Sequence, residues 1–572
     1  MLPGRSKSLR IFITLCIGIL ILYLNRSRKR KPLHTPPFAD FTNPPPERFD
    51  WAKRPQQYPV SSFIPLPTRP TNPLPRIQHK FEPDFGASAQ ENARRRDVVK
   101  ATFIRSWEGY KNRAWLKDEL LPISGGSQNR FGGWAATLVD SLDTLWIMNL
   151  KMDFEQAVGA LGDIDFTRSE QEDINVFETT IRYLGGLLSA WDLSGGEQGL
   201  WNGLLKEKAS ELGDFLYAAF DTENRMPVTS WNWLKAREGK TQEATTWALV
   251  AEIGSLSLEF TRLSQITGDP KYYDAIQRIT DRFEKAQFLT TLPGMWPVVV
   301  NPNVEDFGEN ADFSLGQMAD STYEYLLKEY ILLGGRSTQY WHMYEDAINA
   351  AEEHLFFRPV TKSNADILIS GTLHVTPGTR GTLNPEGQHL SCYIGGMLSI
   401  GSKIFDRPND LPIARKLVDG CLWAYHSMPT GIMPELFHLT QCADSSDCFW
   451  VEQPYSEDPL KFPEFYDIED KRYVLRPEAI ESLFILYRIT GDESLREEAW
   501  KMFSSIDKHT KTEYGNAALK DVTQVPASQV DSMESFWTAE TLKYFYLIFS
   551  PPELVSLDAW VFNTEAHPFK RA

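Results

Sequence analysis

The chain has 572 residues, with 59 Lys plus Arg against 76 Asp plus Glu and a formal charge of -17. It is long enough to bury a large core, and its acidic balance excludes nucleic acid as a partner. The basic residues crowd into the N-terminal segment, so the remainder is more acidic than the average suggests and suits a cation and a neutral ligand.

Ile11 to Leu24 form an apolar run, preceded by Arg5, Lys7 and Arg10 and followed by Arg26, Arg28, Lys29, Arg30 and Lys31. No small-residue cleavage site follows, so the run reads as an uncleaved signal anchor, short for a membrane span and helped by snorkelling of its basic flanks. The C-terminal flank is the more basic, which by the positive-inside rule alone would keep the large domain in the cytosol. From Lys31 to about Pro83 prolines dominate (Pro44-Pro45-Pro46, Pro65, Pro67, Pro70, Pro73, Pro75) without periodic apolar spacing, the pattern of a polyproline-rich stalk. A globular domain is expected to begin near Arg94, where Val98, Val99, Phe103 and Trp107 start a helical spacing.

From there to the end no long strand-rich block appears, and three related turns recur: Leu193-Ser194-Gly195-Gly196, Ile266-Thr267-Gly268-Asp269 and Ile489-Thr490-Gly491-Asp492. Each separates two apolar helical runs, as a glycine stop between hairpin helices does. The pattern predicts a single all-α toroid of helix hairpins, with every inner helix bringing its N-terminus to one mouth. Four acids sit at expected helix starts. Asn175 with Glu178 is a capping pattern, Ser321 with Glu324 is a capping box directly after Asp320, and Pro434-Glu435 and Pro477-Glu478 each place proline at a first helical position. Such acids serve a helix dipole equally well, so spacing alone does not separate a cap from a catalyst.

Five cysteines are present. Cys16 lies in the apolar run, and Cys392, Cys421, Cys442 and Cys448 allow two pairs without any CxxC, which speaks against zinc and makes disulfides depend on compartment. Cys442 and Cys448 bracket a short acidic loop and read either as a bridge or as two free thiols. Near the end, the β-branched and aromatic run before Asn563-Thr564-Glu565-Ala566-His567-Pro568 reads as a short extended excursion. Its polar part is either an ordinary turn or a source of oxygen ligands for a hard cation.

Val561-Phe562-Asn563-Thr564-Glu565-Ala566-His567-Pro568 resembles the terminal signature of the class I α-1,2-mannosidases, glycoside hydrolase family 47. Similar to family motifs are also Asp140-Ser141-Leu142-Asp143-Thr144-Leu145, Phe177-Glu178-Thr179-Thr180-Ile181-Arg182, Ala319-Asp320-Ser321 with Tyr323-Glu324-Tyr325-Leu326, Leu475-Arg476-Pro477-Glu478, and Glu534-Ser535-Phe536 with Glu540-Thr541. The resemblance runs from Trp107 to Pro568. It implies an (α/α)7 barrel plugged by a C-terminal β-hairpin, over residues 94–572, after a cytoplasmic tail (1–10), an anchor (11–24) and a stalk (25–93). It also implies a lumenal catalytic domain in the endoplasmic reticulum or Golgi, against the flanking charge.

The activity implied is calcium-dependent, inverting removal of terminal α-1,2-linked mannose from high-mannose N-glycans, which needs an acid and a base roughly 6.5 to 9.5 Å apart. Matched position by position, Glu178 resembles the general acid, acting through water, and Glu478 the base. Asp320 is the third essential carboxylate, and Glu435 lies on another matching motif. Arg182 and Arg476 would orient substrate or tune these acids, Phe536 would stack on a sugar ring rather than serve only as core, and Glu540 would support the ion or its waters. The Thr564 hydroxyl and carbonyl would bind calcium, whose shell can include two adjacent sugar hydroxyls. Cys392 and Cys421 match the family's disulfide, a bridge worth about 3 to 4 kcal/mol in the chain-entropy model. Two residues before Asp320, the family's endoplasmic-reticulum members carry an arginine that contacts glycan branches; here Met318 stands instead, which implies a less branch-selective, Golgi-type enzyme.

Two other classes compete. A lectin-like quality-control protein would use the barrel only to bind glycans, but it need not keep Glu178, Asp320 and Glu478 together. Another α/α-barrel enzyme, a glucosidase or terpene cyclase, is disfavoured because no Asp-Asp pair exists for a magnesium-diphosphate site. No GxGxxG, GxSxG or HExxH motif is present either.

Overall fold

The computed structural model describes residues 48–68, 73–83, 86–308, 310–443, 448–450 and 462–571. The expected tail and anchor lie outside these residues, and no helix among those described is long and apolar enough to cross a membrane.

Among the described residues, fourteen helices alternate between an outer and an inner ring. The outer ring comprises α1 (Ala87–Arg113), α3 (Lys151–Ala160), α5 (Asn202–Tyr217), α7 (Pro270–Ala286), α9 (Thr338–His354), α11 (Asp410–Ser427) and α13 (Ser494–Thr510). The inner ring comprises α2 (136–147), α4 (176–193), α6 (250–267), α8 (Asp320–Leu332), α10 (Ile394–Ile404), α12 (Glu478–Thr490) and α14 (537–548). Each inner helix packs against its hairpin partner and against both inner neighbours, and α14 returns to α2, so the ring closes as an (α/α)7 barrel. Inner helices are apolar nearly all round, as α12 shows: every residue from Ala479 to Ile489 is buried. Outer α7 is amphipathic, begins with an Asp269 cap on the Lys271 N–H and Pro270 at its first position, and buries one face. The expected hairpin stops are present: Gly268 and Gly491 end α6 and α12 at φ 76° and 74°, where a side chain would be strained.

Short strands decorate the rim. The C-terminal pair, β1 (Trp560–Phe562) and β2 (Pro568–Lys570), forms an antiparallel hairpin with Trp560 opposite Lys570 and Phe562 opposite Pro568. Its tip enters the barrel: a Cβ on Gly185 of α4 would meet Asn563 Nδ2 at 2.7 Å and His567 Cδ2 at 2.8 Å, so only glycine admits the plug here. Phe562 packs on Phe484 and Tyr544 from two inner helices.

Three expectations need correction. The globular unit begins at Phe49, not near Arg94. Trp51 is buried against Phe215 and Trp231 and donates to the Thr167 carbonyl at 2.9 Å, and Arg54 pairs with Asp221 at 2.6 Å in a nearly solvent-free site. The second half of the supposed stalk is therefore a strap, tied by single donors and acceptors rather than by an amphipathic face. Glu435 does not start a helix; it precedes strand Leu436–His438, which pairs with Glu386–Gln388 and Asp467–Asp470. Ser321 is not a cap, because α8 begins one residue earlier and it is Asp320 Oδ1 that accepts the Ser321 N–H at 2.8 Å. Both disulfides, Cys392–Cys421 and Cys442–Cys448, are formed.

Candidate active site

A chamber of about 300 Å³ opens at the mouth of the barrel. Six of the seven inner helices line it with residues at or just before their first turns: Asn175 to Arg182, Ala251 and Glu252, Asp320 to Glu324, Leu390 and Tyr393, Arg476 to Glu481, and Phe536 with Glu540. Thr564 and Glu565 at the hairpin tip form its floor. The parallel inner ring thus turns acids scattered over nearly the whole sequence into one cluster.

Local backbone aims these side chains. Asn175 accepts the Glu178 N–H at 3.0 Å, the expected cap, and Glu178 is followed by a π-helical segment, Thr179–Leu184. A second π segment, Trp537–Thr541, contains Glu540. Such bulges change which face a helix presents and are frequent at functional sites. Met318, Leu475 and Ala566 all have left-handed φ, at 76°, 72° and 58°, just before Asp320, just before Arg476-Pro477-Glu478, and inside the hairpin tip. Each costs on the order of 1 to 3 kcal/mol, strain that the packed ring holds in place.

Glu478 Oε2 lies 2.7 Å from His389 Nδ1, and Oε1 lies 3.8 Å from Arg476 Nη1. Burial pushes Glu478 up, but His389 and Arg476 outweigh it, and its pKa lies below the ordinary glutamate value. Burial pushes Asp320 up to about 7; the charges of Glu324 and Glu478 add to this, and the Ser321 N–H and the Arg476 charge offset it only in part. Glu178 Oε2 accepts from Arg182 Nε at 2.8 Å, and Arg182 Nη1 reaches Glu565 Oε2 at 3.0 Å. Phe536 lies 5.8 Å from the Arg182 guanidinium and is itself mostly buried. Glu435 does not line the chamber; it is bonded by Arg476 Nε and by the Val474 N–H, so it stands behind Arg476 as its anchor rather than facing a ligand.

The floor is rich in oxygen. Glu540 and Glu565 are both pushed up, by burial and then, at Glu540, by the facing carboxylate. Glu481 is also pushed up by burial, although Lys328 lies 3.6 Å away. The Thr564 N–H donates to Tyr325 OH at 3.3 Å, while its hydroxyl and carbonyl bond to none of the described residues. Among those residues no group of three or more His, Cys, Asp or Glu is arranged as a metal site. A purely oxygen donor set with surplus buried carboxylates fits a hard cation held by Thr564 and by waters on the acids, and does not fit zinc.

Beneath the floor is a network that the sequence motifs contained but to which no role was attached. His567 Nδ1 lies 2.8 Å from Asp143 Oδ2 and Nε2 lies 3.1 Å from Asp140 Oδ1. Lys543 Nζ donates to Asp143 and, at 2.7 Å, to the Ala566 carbonyl. His389, Glu565 and Glu481 were likewise without assigned roles, and nothing in their spacing predicts them as neighbours of the expected acids.

Glycosyl hydrolase family 47 matches residues 102–571 of the sequence, which is essentially the barrel and its plug. The chain belongs to glycosyl hydrolase family 47. It is 34% identical to the human endoplasmic reticulum mannosyl-oligosaccharide 1,2-alpha-mannosidase, over 88% of this chain and 66% of that protein. It is 35% identical to the Arabidopsis thaliana mannosyl-oligosaccharide 1,2-alpha-mannosidase MNS3, over 86% and 84% respectively. Among solved structures it is similar to the alpha-1,2-mannosidase from Trichoderma reesei, with a TM-score of 0.76 and 30% identity, covering 84% of this chain and 99% of that one. The expected family, and with it the expected fold, are those of the described barrel.

Proposed function

We propose that this family 47 chain is a calcium-dependent, inverting exo-mannosidase that removes terminal α-1,2-linked mannose from high-mannose N-glycans in the secretory pathway. It is a glycosidase by family, and the relatives named above are 1,2-alpha-mannosidases. One observation favours catalysis over mere glycan binding: Glu478 is held ionised by His389 and Arg476 while Asp320, in the same chamber, is pushed up to about 7. A binder has no need of two carboxyls with opposed proton affinities, whereas an inverting glycosidase needs one to take a proton and one to give it.

In this reading Glu478 is the base that activates water, and Arg476, anchored by Glu435, keeps it aligned. The sequence motifs make Glu178 the acid, delivering its proton through water. The burial of Asp320 favours a second assignment, in which Asp320 holds the proton at neutral pH and Glu178, tied to Arg182, orients the sugar. Thr564 would hold calcium through its hydroxyl and carbonyl, with Glu540 supporting the ion's waters. When bound, the ion supplies coordination to two adjacent hydroxyls of the terminal mannose. Phe536 offers an apolar face to the ring.

The finer setting is also proposed: a type II orientation with residues 11–24 as anchor, and residence in the endoplasmic reticulum or Golgi. Two disulfides in the catalytic unit suit an oxidising lumen. The test is a product time course on a labelled nine-mannose glycan, with and without chelator, alongside the melting temperature. Chelation should abolish release of mannose and lower the melting point together, since a ligand bound only to the native state stabilises it by mass action. Calcium should restore both better than magnesium, which resists a crowded, flexible oxygen shell. Full activity in rigorously metal-free protein would refute the role of Thr564, and failure to release mannose with calcium present would refute the activity.

A further inference from the structure

Three buried side chains stand in a row behind Glu478: His389, Tyr425 and Tyr473. His389 Nδ1 lies 2.7 Å from Glu478 Oε2, and its Nε2 lies 2.8 Å from the Tyr425 hydroxyl. The Tyr425 hydroxyl also meets that of Tyr473, which donates to the Arg476 carbonyl at 3.3 Å. We propose that Tyr425 is a positioning residue for the hydrolysis: through His389 it holds Glu478 in the orientation from which that carboxylate takes a proton from water. The proposal rests on the assignment of Glu478 as the base.

The row is assembled from separate parts of the barrel. Tyr425 lies near the C-terminal end of outer helix α11, and His389 directly before the short turn Leu390–Tyr393 that leads into α10. Tyr473 lies between strand Asp467–Asp470 and α12. Each is fixed independently of the others. The His389 N–H donates to the Glu435 carbonyl at 3.0 Å, and Tyr473 exchanges backbone hydrogen bonds with Leu519 at 3.1 and 2.8 Å. The Cys392–Cys421 bridge joins the turn to α11 just past His389 and one helical turn before Tyr425, so the two side chains stay opposite one another. The His389 ring meets the Tyr425 ring edge-on, with centroids 5.7 Å apart.

None of the three lines the chamber, so none touches substrate, and their effect has to pass through Glu478. One oxygen of that carboxylate, Oε2, is committed to His389, while Oε1 lies 3.8 Å from Arg476 and is left for water. A base that activates a nucleophile works best when a third group fixes its geometry. Here the third group is a ring that has its own freedom: bonded only through Nδ1, an imidazole can still swing about its side-chain bonds. The Tyr425 hydroxyl at Nε2 removes that freedom. A tyrosine that served only as core would need its ring and not its hydroxyl, because a polar atom in a dry corner is costly unless it is bonded. This hydroxyl is bonded, and to the one side chain that contacts the base.

The test is Tyr425→Phe, which keeps the ring and removes one oxygen, combined with Glu478→Gln in a double-mutant cycle on the nine-mannose glycan with calcium present. In Tyr425→Phe alone kcat should fall about 10- to 100-fold, the effect of a slightly misplaced reacting group. KM should stay within about two-fold, because the chamber lining is unchanged. In the Glu478→Gln background the same change should cost nothing further, since groups that act as a unit are not additive, whereas a role in stability alone would lower both backgrounds equally. Turnover of Tyr425→Phe within about two-fold of wild type, or an equal fall in both backgrounds, overturns the positioning role and leaves Glu478 as the base. If Glu478→Gln keeps more than about a tenth of wild-type turnover, the base assignment falls and the positioning role with it.

Discussion

His389 places its Nδ1 2.7 Å from Glu478 Oε2 and its Nε2 2.8 Å from the Tyr425 hydroxyl, with the histidine and the tyrosine buried behind the chamber that Glu478 lines. An imidazole held at both nitrogens cannot rotate, so the carboxylate it contacts is fixed in orientation as well as in charge. Replacement of Glu478 by Gln is nearly isosteric and removes only the proton acceptor. Glu478→Gln should therefore cut turnover by about 10² to 10⁴ with little change in melting temperature. A variant keeping more than about a tenth of wild-type turnover would remove Glu478 from the role of base.

Because Glu478 lies below the ordinary glutamate value of 4.5, the acidic limb of kcat/KM should fall below that pH. Asp320, pushed up to about 7, should set the basic limb near neutrality if it holds the proton. In that case Asp320→Asn loses the limb along with most activity, while Glu178→Gln keeps a limb near pH 7. A limb that survives in Asp320→Asn and vanishes in Glu178→Gln returns the acid to Glu178.

His567 sits between two buried carboxylates. Burial pushes it down, but Asp143 and Asp140 outweigh burial and raise it from 6.5 to about 9. A histidine raised on folding stabilises fully below its unfolded value near 6.5, and that stability is lost as pH climbs through the folded value near 9. The shift corresponds to on the order of 3 kcal/mol. The excess stability of wild type over His567→Gln, from urea unfolding at stepped pH, should be greatest below about pH 6.5 and shrink by pH 10. A difference that grows between pH 7 and 10 would contradict a charged His567.

Asp221 accepts from Arg54, from the Gln57 N–H at 2.9 Å and from the Tyr58 N–H at 2.9 Å, so one buried carboxylate closes the strap onto the barrel. Asp221→Ala leaves the Arg54 guanidinium buried without its partner and should cost about 3 to 5 kcal/mol. A cost below about 1 kcal/mol in urea titrations would show that the strap contributes little.

What the sequence made legible follows from locality. Gly268 and Gly491 announce helix ends because the left-handed conformation is required at that very residue, and Asn175 announces a start because its side chain bonds three residues on. Local chemistry also marks Glu178, Asp320 and Glu478 as acids at helix starts, but it is the resemblance of their motifs to the family, not their spacing, that singles them out as site residues. Glu435 carries the identical Pro-Glu signal, yet its segment pairs with strands some 30 to 50 residues away, and local chemistry does not distinguish the two. The strap escaped because Trp51 and Arg54 are single anchors in a segment without periodicity. The His567 site escaped because its partners Asp140 and Asp143 are more than 400 residues distant in sequence.

Met318 is the departure with the clearest consequence for specificity. Its left-handed φ of 76° turns the chain just before Asp320, its carbonyl accepts the Ala251 N–H at 3.0 Å, and its side chain, 43% exposed, lines the chamber. A methionine there is a flexible apolar surface with no donor, whereas an arginine would present five fixed donors to sugar hydroxyls. The wild type should therefore admit several branch poses and trim several α-1,2-mannoses. Met318→Arg should slow the later cleavages more than the first, because it favours one pose without touching Glu478, Asp320 or Glu178. Chromatography of products against time reads this directly. Accumulation of a single eight-mannose isomer by wild type under prolonged digestion would show that residues other than Met318 already impose branch selection.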